Sequence, residues 1–570
     1  MQILRLSADG GRMRRVASCL TALATAAALT ACSPAAAGPG TKAHQSAGRQ
    51  AGGPRHEYLV FYADGRLDQA RAAVEQAGGS AAGGDPRLGY LLATAGDDAF
   101  VTSVGGDPSV VGVSPDRAIG YASSRTAAAA APAGPARAFP DGTSPARAKG
   151  EPLAGRQWDM KMIGADRAHA KAPGSRKVLV GVIDTGVDGT HPDVAPNFNR
   201  ALSRNFVTDR PKDDRGGTLD GPCEARGCKD PVDEDDDGHG THVASTIASP
   251  VNGVGIAGVA PNVQIVSIRA GQDSGFFFLK PSLDALTYAA DIGVDVVNMS
   301  YYVDPWLFNC RDNPSDSKKQ QLEQRAIVVG MQRALDYARG RGVTLISAIG
   351  NGSSDLGRPK VDSSSPGYPR GDEKVRKVNN SCLNVPAESK GVISVSAVGP
   401  SGRKAIYSDY GVEQTDLAAP GGDAADGKGS DVTRSILAAA PERVLRATGR
   451  IGKDGAPKGA DVVRDCEKGS CSYYQYLDGT SMAAPHATGV AALIVSRFGR
   501  PSKDGVTMNP ADVERLLYRT ATPTSCPKPR RFSYDVYGEG QTHLCEGGTS
   551  KNGFYGHGVV NAWNAATVRP

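Results

Sequence analysis

Three short motifs carry side chains that together could perform acyl transfer. Asp184 stands in Asp-Thr-Gly after an apolar run, His239 in Gly-His-Gly-Thr-His, and Ser481 in Gly-Thr-Ser-Met-Ala. A serine hydroxyl is a weak nucleophile at neutral pH and needs an imidazole as its base, while a carboxylate fixes the tautomer of that imidazole and stabilises its charged form. The three motifs therefore predict a Ser-His-Asp catalytic site.

The motifs have other interpretations when each is taken alone. His239 and His242 have the spacing of a metal-binding pair, but the glutamate of the H-E-x-x-H motif is missing, so we expect His242 to be structural. Ser481 is not a nucleophile elbow, because Ala483 stands where G-x-S-x-G requires glycine. The chain order Asp, His, Ser is that of subtilisin and differs from the orders in chymotrypsin and the α/β-hydrolases.

With all three signatures in this order, the chain resembles the subtilisin (S8) family of serine peptidases over most of its length beyond residue 152. The resemblance implies a secreted endopeptidase that acts on proteins or peptides through an acyl-enzyme and is made as an autoprocessed precursor. It also implies that Asn351, in Ser-Ala-Ile-Gly-Asn-Gly, donates its amide N–H to the oxyanion beside the backbone N–H of Ser481. A simple turn asparagine before glycine is the alternative for Asn351.

The substrate-binding strand implied by the resemblance is Ser300-Tyr301-Tyr302-Val303. The family pattern is Ser-Leu-Gly-Gly, so Tyr302 replaces a glycine that lines the specificity pocket, which leaves the size and preference of the pocket open. The acidic run at residues 233–237 just before His239 could favour basic substrates. Such a run is more often a solvated loop or a loop that holds calcium.

A structural calcium site is implied by the same resemblance. Its ligands would be the side chains of Asp193 and Asn252 and the backbone carbonyls of Pro250, Val254 and Ile256. Carboxylate, amide and carbonyl oxygens are the ligands that Ca²⁺ prefers. The family's N-terminal glutamine ligand has no clear counterpart, and a plain surface loop is the alternative.

The apolar pattern predicts two folded units. Residues 56–121 alternate strand and helix signals in a small α+β unit, which resembles the family's inhibitory prosegment, with Tyr121 next to the cut bond. Residues 122–152 are rich in Ala, Pro and Gly and predict a disordered linker, inside which cleavage is the alternative. From residue 153 to 570, apolar β-branched runs alternate with amphipathic helices, which indicates an α/β domain with a helix-covered parallel sheet and chemistry at the strand ends.

The N-terminus has the features of an export signal. A basic start at Met13 precedes a short apolar stretch that ends in Leu-Thr-Ala-Cys, which resembles the lipobox of bacterial lipoproteins, with Cys32 as the lipid-bearing residue. Residues 1–32 would then be the export signal and 33–55 a linker; ordinary signal cleavage after Ala37 is the alternative. We expect an exported precursor that contacts the membrane only through this lipid.

Eight of the ten cysteines lie beyond the export segment, and an even number in an exported protein favours disulfides. Sequence spacing suggests the pairs Cys223–Cys228, Cys466–Cys471, Cys526–Cys545 and Cys310–Cys382, although it cannot fix their connectivity. Zinc is disfavoured because neither close pair has C-x-x-C spacing and no suitably spaced histidine follows.

The net charge of +5 over 570 residues is weak, and no dense basic stripe is present, so nucleic acid is a poor candidate for a partner. We expect a monomer whose own prosegment acts as its inhibitor. A catalytically silent binding protein of the same fold is the alternative function, although such proteins usually lose a member of the triad and this chain retains all three.

Overall fold

The computed structural model describes residues 56–96, 99–116, 125–126, 150–213, 215–277, 279–303, 305–467, 469–502, 505–536 and 539–569. The predicted export signal, the linker 33–55, Tyr121 and most of the linker 122–152 lie outside the described residues. Among the described helices, none combines the length and the apolar character that crossing a bilayer requires.

The N-terminal unit is the small α+β structure that the sequence predicts. Its elements are β1 (His56–Tyr62), α1 (Leu67–Gln76), β2 (Ser80–Asp85), β3 (Tyr90–Ala95), α2 (Ala99–Val104) and β4 (Val110–Pro115). The strands form an antiparallel sheet in the order β2-β3-β1-β4. Strand β5 (Arg125–Thr126) follows and pairs elsewhere, so this part of the predicted linker has regular structure.

The larger unit is an α/β domain, as predicted. Its first elements are α3 (Trp158–Met162), α4 (Ala165–Ala168), β6 (Leu179–Asp184), β7 (Arg204–Asn205), α5 (His239–Ala248), β8 (Gln264–Arg269), α6 (Leu279–Asp291), β9 (Val296–Met299), α7 (Lys318–Gly340) and β10 (Thr344–Ala348). Next come β11 (Val361–Asp362), β12 (Arg376–Lys377), β13 (Val392–Val398), β14 (Leu417–Pro420), β15 (Ile436–Ala439), α8 (Glu442–Ala447), β16 (Val462–Glu467), β17 (Ser470–Asp478) and α9 (Thr480–Phe498). The last are β18 (Arg500–Ser502), β19 (Gly505–Thr507), α10 (Pro510–Thr520), β20 (Arg531–Val536), β21 (Glu539–Leu544) and α11 (Ala562–Thr567).

The central sheet has the strand order β14-β13-β10-β9-β6-β8-β7, and each neighbouring pair is parallel. Its strands are apolar on both faces because helices cover both. In β6, Val180 and Val182 pack into the core that contains α5 and α9, whereas Leu179 and Ile183 pack into the core that contains α6 and α7. This arrangement brings the carboxyl ends of the parallel strands to one edge, where the predicted site residues follow them.

Four disulfides join the cysteines in the pairs that the sequence spacing suggested. They are Cys223–Cys228, Cys310–Cys382, Cys466–Cys471 and Cys526–Cys545. The pair Cys466–Cys471 closes the hairpin of β16 and β17, and Cys526–Cys545 closes the segment that contains the hairpin of β20 and β21. The expectation of disulfides rather than zinc is confirmed for these eight residues.

Candidate active site

Asp184 is the last residue of the central strand β6, and its side chain is fully buried. Its Oδ1 atom lies 2.7 Å from Nδ1 of His239 and also accepts a hydrogen bond of 2.8 Å from the backbone N–H of Thr185. Its Oδ2 atom has no hydrogen-bond partner among the described residues. A buried carboxylate of this kind can hold an imidazole in one orientation with its proton on Nδ1.

His239 is the first residue of α5 and is 2% exposed. The helix can approach β6 so closely because Gly240 has no side chain: a Cβ atom there would lie 2.0 Å from the carbonyl oxygen of Gly186. The Nε2 atom of His239 has no hydrogen-bond partner among the described residues. His242, one turn later, contacts the carbonyls of Ile436 and Gln475 through Nε2, which fits the structural role expected for it.

The acidic run 233–237 is largely occupied by internal contacts, which corrects the view of it as a solvated loop. Asp235 is 2% exposed and accepts hydrogen bonds from the hydroxyl of Thr185 and from both the N–H and the hydroxyl of Thr241. Thr185 is the residue after Asp184, and Thr241 lies two residues after His239. Asp235 therefore connects the segment that carries Asp184 with the segment that carries His239. The other members of the run also have partners. Asp233 forms an ion pair with Arg200, and Glu234 and Asp236 both form ion pairs with Arg443. Asp237 accepts a hydrogen bond from the backbone N–H of His239.

The pKa of His239 is set by two opposing effects. Burial lowers it, because an apolar environment disfavours the imidazolium, but the charge and the hydrogen bond of Asp184 outweigh this and raise the pKa above its ordinary value. Asp237 and Asp235 add to the increase. The carboxylates around His239 therefore stabilise the protonated ring, which is the form that a general base adopts after it takes up a proton.

Ser481 is the second residue of α9 and is 2% exposed. Its hydroxyl donates a hydrogen bond of 3.1 Å to the carbonyl oxygen of Ser300, and the hydroxyl of Ser300 donates one of 2.9 Å to the carbonyl oxygen of Ser481. Asn298 in turn donates to the Ser300 hydroxyl at 2.8 Å. Reciprocal bonds therefore fix the start of α9 against the segment that follows β9.

Asn351 lies just beyond β10, on the other side of the same helix start. Its Oδ1 atom accepts hydrogen bonds from the backbone N–H and the hydroxyl of Thr480, both at 2.9 Å. Because the amide group is planar, anchoring Oδ1 at Thr480 directs the Nδ2 group away from that residue. The structure thus brings Asn351 beside the N-terminus of the helix that carries Ser481.

The cavity beside Ser481 is small, about 10 Å³, and Ser300, Tyr301, Tyr302 and Asn351 are among the residues that line it. A single water molecule needs roughly 10–15 Å³. Tyr301 is 3% exposed and stacks on Phe277 with ring centroids 4.1 Å apart, so it packs into the core. Tyr302, by contrast, is half-buried.

The residues predicted to bind calcium also come together. Asp193 is fully buried, and its Oδ2 atom accepts hydrogen bonds from the N–H of Ile256 and the hydroxyl of Tyr474, at 2.9 and 3.1 Å. Its Oδ1 atom has no partner among the described residues, and burial raises its pKa to about 8. The Nδ2 group of Asn252 lies 3.4 Å from the carbonyl of Pro192, within the same loop cluster.

Glu151 is the residue of this cluster that the sequence reasoning missed. It is 8% exposed, its Oε1 atom accepts a hydrogen bond of 3.1 Å from the N–H of Gly253, and its Oε2 atom is buried without a partner among the described residues. Burial raises its pKa, and Asp465 adds to the increase. Its position at the end of a linker rich in Ala, Pro and Gly concealed it, because composition there indicates only a flexible segment.

Comparison with known proteins gives one family. The family model described as "Peptidase_S8: Subtilase family" matches residues 175–558. Subtilisin DY of Bacillus licheniformis is 26% identical over 365 residues, which covers 64% of this chain and 91% of that protein. Fervidolysin of Fervidobacterium pennivorans is 29% identical over 387 residues, or 66% of this chain but only 42% of that protein.

Solved structures agree in fold. The epidermin leader peptide processing serine protease of Staphylococcus aureus superimposes with a TM-score of 0.58 at 21% identity, over 90% of this chain and 98% of that one. The crystal structure of fervidolysin gives a TM-score of 0.53 at 23% identity, over 91% of this chain and 62% of that one. At these identities the likeness shows the α/β fold and carries no information on substrates.

The substitution Asp184→Asn is expected to lower the pKa of His239, because it removes the largest of the effects that oppose burial, while those of Asp237 and Asp235 remain. NMR titration of selectively labelled histidine rings measures this pKa directly. Asp159→Asn is a matched control, since Asp159 is a buried carboxylate 3.0 Å from a different histidine, His486. Equal titration of His239 in wild type and Asp184→Asn would contradict the electrostatic coupling.

Proposed function

Because this chain belongs to the subtilase family, and its relatives support a serine peptidase, we propose that it is an exported serine endopeptidase made as an autoprocessed precursor. The observation that carries the proposal is the buried contact of 2.7 Å between Asp184 and His239, together with the position of Ser481 at the start of the neighbouring helix. These are the three groups that acyl transfer requires.

In the proposed reaction, Ser481 is the nucleophile, His239 the general base and Asp184 the group that orients the base. The Ser481 hydroxyl turns from the carbonyl of Ser300 toward Nε2 of His239, gives up its proton there, and its Oγ atom bonds to the substrate carbonyl carbon. The imidazolium then protonates the leaving amine as the peptide bond breaks. Water hydrolyses the acyl-enzyme by the same steps in reverse order, and His239 again serves first as base and then as acid.

Asn351 supplies the second element of the proposed site. Its Nδ2 group and the backbone N–H of Ser481 would donate to the oxyanion that forms when the carbonyl carbon becomes tetrahedral. In subtilisin the loss of such a side-chain donor costs about 10²–10³ in kcat. The anchoring of Oδ1 by Thr480 supports this role, because it leaves the Nδ2 end of the amide, which is the donor, for the oxyanion.

Tyr302, which lines the cavity beside Ser481, supports a preference for a small side chain on the substrate residue before the cut bond. Tyr302 occupies the position where the family has glycine, and an aromatic ring in the wall of a pocket restricts the side chains it can accept. Ser300, Tyr301 and Tyr302 would carry the backbone of the substrate alongside them. The preference also bears on self-cleavage, because it disfavours Tyr121 as the residue before the cut bond.

The burial of the sheet in residues 56–116 supports the proposal that this unit is an inhibitory prosegment. In β1, Tyr58 and Val60 pack toward the helices of the same unit, whereas Leu59 and Phe61 pack into the core formed with α6 and α7. Leu59 and Phe61 are fully buried. Burying each such side chain stabilises by about 1.5–3 kcal/mol, so the N-terminal unit depends on the larger domain for one face of its sheet.

Polar contacts of α7 complete this docking surface. Arg333 donates hydrogen bonds to the carbonyls of Tyr62, Leu88 and Gly89 at 3.0 to 3.1 Å and lies 3.1 Å from Asp64. These bonds connect one helix of the catalytic domain to two separate turns of the N-terminal sheet. Since the carbonyls belong to the backbone, the contact depends on the fold of the prosegment rather than on its side chains.

The two-residue strand β5 supports self-cleavage close to Arg125. It pairs antiparallel with β17, with Arg125 opposite Asp478 and Thr126 opposite Leu477. Asp478 precedes Ser481 by three residues, so this pairing holds Arg125 beside the segment that leads to the nucleophile. The pairing supports a cut close to Arg125, which is the alternative within the predicted linker.

Gly112→Ala in the prosegment is expected to weaken inhibition of the mature enzyme by about 10–100-fold in Ki, from an overpacking cost of about 1–3 kcal/mol. The physical reason is that a Cβ atom at residue 112 would lie 2.5 Å from the backbone nitrogen of Ala326 in α7. The measurement adds prosegment peptide to active enzyme and follows peptide hydrolysis. Gly96→Ala is the matched control, because a Cβ atom there meets nothing within 4 Å, and equal weakening by both variants would argue against the docking surface.

Export of the precursor is supported by the signal-like N-terminus and by the four disulfides, which form and persist in oxidising compartments. The lipobox at Cys32 adds the proposal of a lipid anchor on the prosegment side of the cut bond. Self-cleavage would then leave only non-covalent binding to hold the catalytic domain at the membrane. The enzyme would be released when the prosegment is degraded.

Ser481→Ala is expected to lose peptide hydrolysis by several orders of magnitude and to remain a full-length, membrane-bound precursor, because it cannot cut itself. Wild type should react with serine-directed phosphonates and yield a shorter soluble form, whose N-terminal sequence locates the cut bond. Cell fractionation and assays of denatured protein substrates measure both effects. Hydrolysis at the wild-type rate by Ser481→Ala would refute the serine mechanism, and a soluble precursor would refute the anchor alone.

A catalytically silent binding protein is the second candidate, and no single observation favours it. Such a protein would bind a peptide in its cleft without hydrolysing it. Wild type would then remain unprocessed, like Ser481→Ala. The retention of Asp184 and His239 in a buried contact supports the catalytic proposal over this alternative.

Calcium binding at Asp193 is proposed on the fit of the donor set. Two buried carboxylate oxygens, Oδ1 of Asp193 and Oε2 of Glu151, have no partner among the described residues, and such atoms are costly to bury without a cation or a proton. Asn252 and the carbonyls of Pro250, Val254 and Ile256 would complete a hard oxygen site of the kind that Ca²⁺ prefers. The ion would stabilise the fold and take no part in the reaction.

Removing calcium is expected to lower the melting temperature of wild type, since a ligand at 100 times its Kd stabilises the native state by about 2.7 kcal/mol. Asp193→Asn should lose most of this increment. Asp295→Asn is a matched control, because Asp295 is a buried carboxylate bonded instead to the N–H of Leu179, and this variant should keep its calcium dependence. Identical melting of wild type in chelator and in calcium would contradict the site.

A further inference from the structure

We propose that Asp409 is a positioning residue for Asn351, which it serves by fixing the backbone of the loop that carries this side chain. The inference rests on the proposed function, in which Asn351 donates to the oxyanion. Asp409 is 1% exposed and lies on a segment that runs alongside this loop. Its backbone N–H donates to the carbonyl of Gly350 at 2.9 Å, and its Oδ1 atom accepts from the N–H of Ser354 at 2.7 Å.

Asp409 therefore contacts the loop on both sides of Asn351, through its backbone N–H before Asn351 and through its carboxylate after it. The amide of Gly352 also faces this carboxylate, and a Cβ atom added at Gly350 would lie 2.2 Å from its Oδ2 atom. The loop needs such support because its backbone is unusual: φ is +122° at Gly350 and +57° at Ser353, and the latter is a left-handed conformation that non-glycine residues seldom adopt.

Neighbouring bonds hold the same two segments together. Ser353 donates its N–H to the carbonyl of Tyr407 at 2.8 Å, and Tyr410 donates its N–H to the carbonyl of Ser354 at 3.0 Å. On the opposite side, Thr480 holds Oδ1 of Asn351. Asn351 is thus fixed from two directions, by the helix start at its side chain and by the Asp409 segment at its backbone.

A buried lysine stabilises the position of Asp409. Lys404 is fully buried, and its Nζ group donates to the carbonyls of Ala405 and Ser408, which closes the turn leading into Asp409. Burial raises the pKa of Asp409 to about 7, and the facing amides and Lys404 oppose this increase. Burial likewise lowers the pKa of Lys404 to about 7, and the charge of Asp409 opposes that decrease, so the charged form of each group favours the charged form of the other.

Aromatic side chains, one of them from the C-terminal hairpin, surround Lys404. Three aromatic rings surround the Lys404 ammonium, with centroids at 5.1, 5.6 and 5.5 Å, and they belong to Tyr410, Tyr534 and Phe554. Tyr534 lies on β20 and donates its hydroxyl to the carbonyl of Lys404 at 2.9 Å. The disulfide Cys526–Cys545 closes the segment that supplies this ring, so an element far from the cleft contributes to the support of the loop.

A double-mutant cycle tests the proposal. Each variant is made as the full-length precursor and assayed as the enzyme that self-processing yields. Asp409→Asn replaces one of two acceptor oxygens by an NH₂ group that cannot accept from the loop amides. We expect kcat to fall about 10-fold with KM changed less than about 2-fold, since the loop acts on the transition state. In the Asn351→Ala background, the same substitution should change kcat less than about 2-fold, because the side chain it positions is gone.

Asp423→Asn is the matched control. Asp423 is also buried near Lys404, but it accepts from Arg403, Ile406 and Ala425 rather than from the loop. Any loss it causes should be the same in both backgrounds. If Asp409→Asn folds poorly, Asp409→Ser retains one acceptor and should give a smaller loss of kcat with the same dependence on Asn351.

The outcomes separate this proposal from the proposed function. A tenfold loss from Asp409→Asn that persists in the Asn351→Ala background would overturn the positioning role, because the effect would then be one of general stability. Wild-type kcat in Asn351→Ala would overturn it as well, since Asp409 would have no oxyanion donor to act through. A wild-type protein without peptidase activity would instead refute the proposed function, on which the roles of Asp409 and Asn351 both depend.

Discussion

The contact between Asp184 and His239 is the constraint on which the geometry of the site depends. It joins two side chains 55 residues apart in sequence, at 2.7 Å, and both side chains are almost fully excluded from solvent. Any displacement of β6 relative to α5 would therefore leave a buried carboxylate or a buried imidazole without its partner, which is costly in a low-dielectric interior. The fold has to fix these two elements before Ser481 can have a base.

Several features serve this one requirement. Gly240 permits the helix to approach the strand, and Asp235 bonds to the residue after Asp184 and to the first turn of α5. The carboxylates of the acidic loop before His239 pair with arginines or accept hydrogen bonds from nearby amides and hydroxyls. Asp237 and Asp235 also raise the pKa of His239. The carboxylates that hold this segment in place therefore also stabilise the protonated base in the proposed chemistry.

The parallel sheet explains why groups from distant parts of the chain meet at one edge. Asp184 ends β6, Arg269 ends β8 directly opposite it, Ser300 follows β9, and Asn351 follows β10. Chain segments leave a parallel sheet from the same edge, so each strand delivers its next residues to a common row. Arg269 pairs there with the buried carboxylates of Asp230 and Asp273.

The sequence was informative wherever a signal was local. The β-branched run that begins at Val178 became β6 within one residue, and the motifs around His239 and Ser481 stand at the starts of helices. The resemblance pointed to Asp193, whose carboxylate accepts a hydrogen bond from the N–H of Ile256, another of the expected ligands. Sequence could not identify Glu151 or Asp409, because each acts on backbone amides of a segment far away in the chain, and an acidic residue in a polar stretch gives no indication of such a partner.

The size of the cavity and the burial of the prosegment were also beyond sequence reasoning. Both are properties of surfaces that meet only after folding: Tyr302 comes to line a cavity beside Ser481, and Leu59 and Phe61 become core residues only against α6 and α7. In an isolated chain, the pattern of β1 indicates a strand with two apolar faces but does not specify what covers the second one.

The burial of β1 on both faces explains why the proposed activation would proceed only one way, from docked prosegment to free enzyme. While the prosegment is docked, the catalytic domain supplies one face of its sheet; once it dissociates, Leu59, Phe61, Leu88 and Tyr90 are exposed to water. A unit of about sixty residues has little stability to lose, so the free prosegment would unfold readily. An unfolded chain is a substrate for the enzyme it has just left, and its hydrolysis prevents return to the cleft. Inhibition by a folded prosegment and destruction of an unfolded one thus follow from the same shared apolar surface.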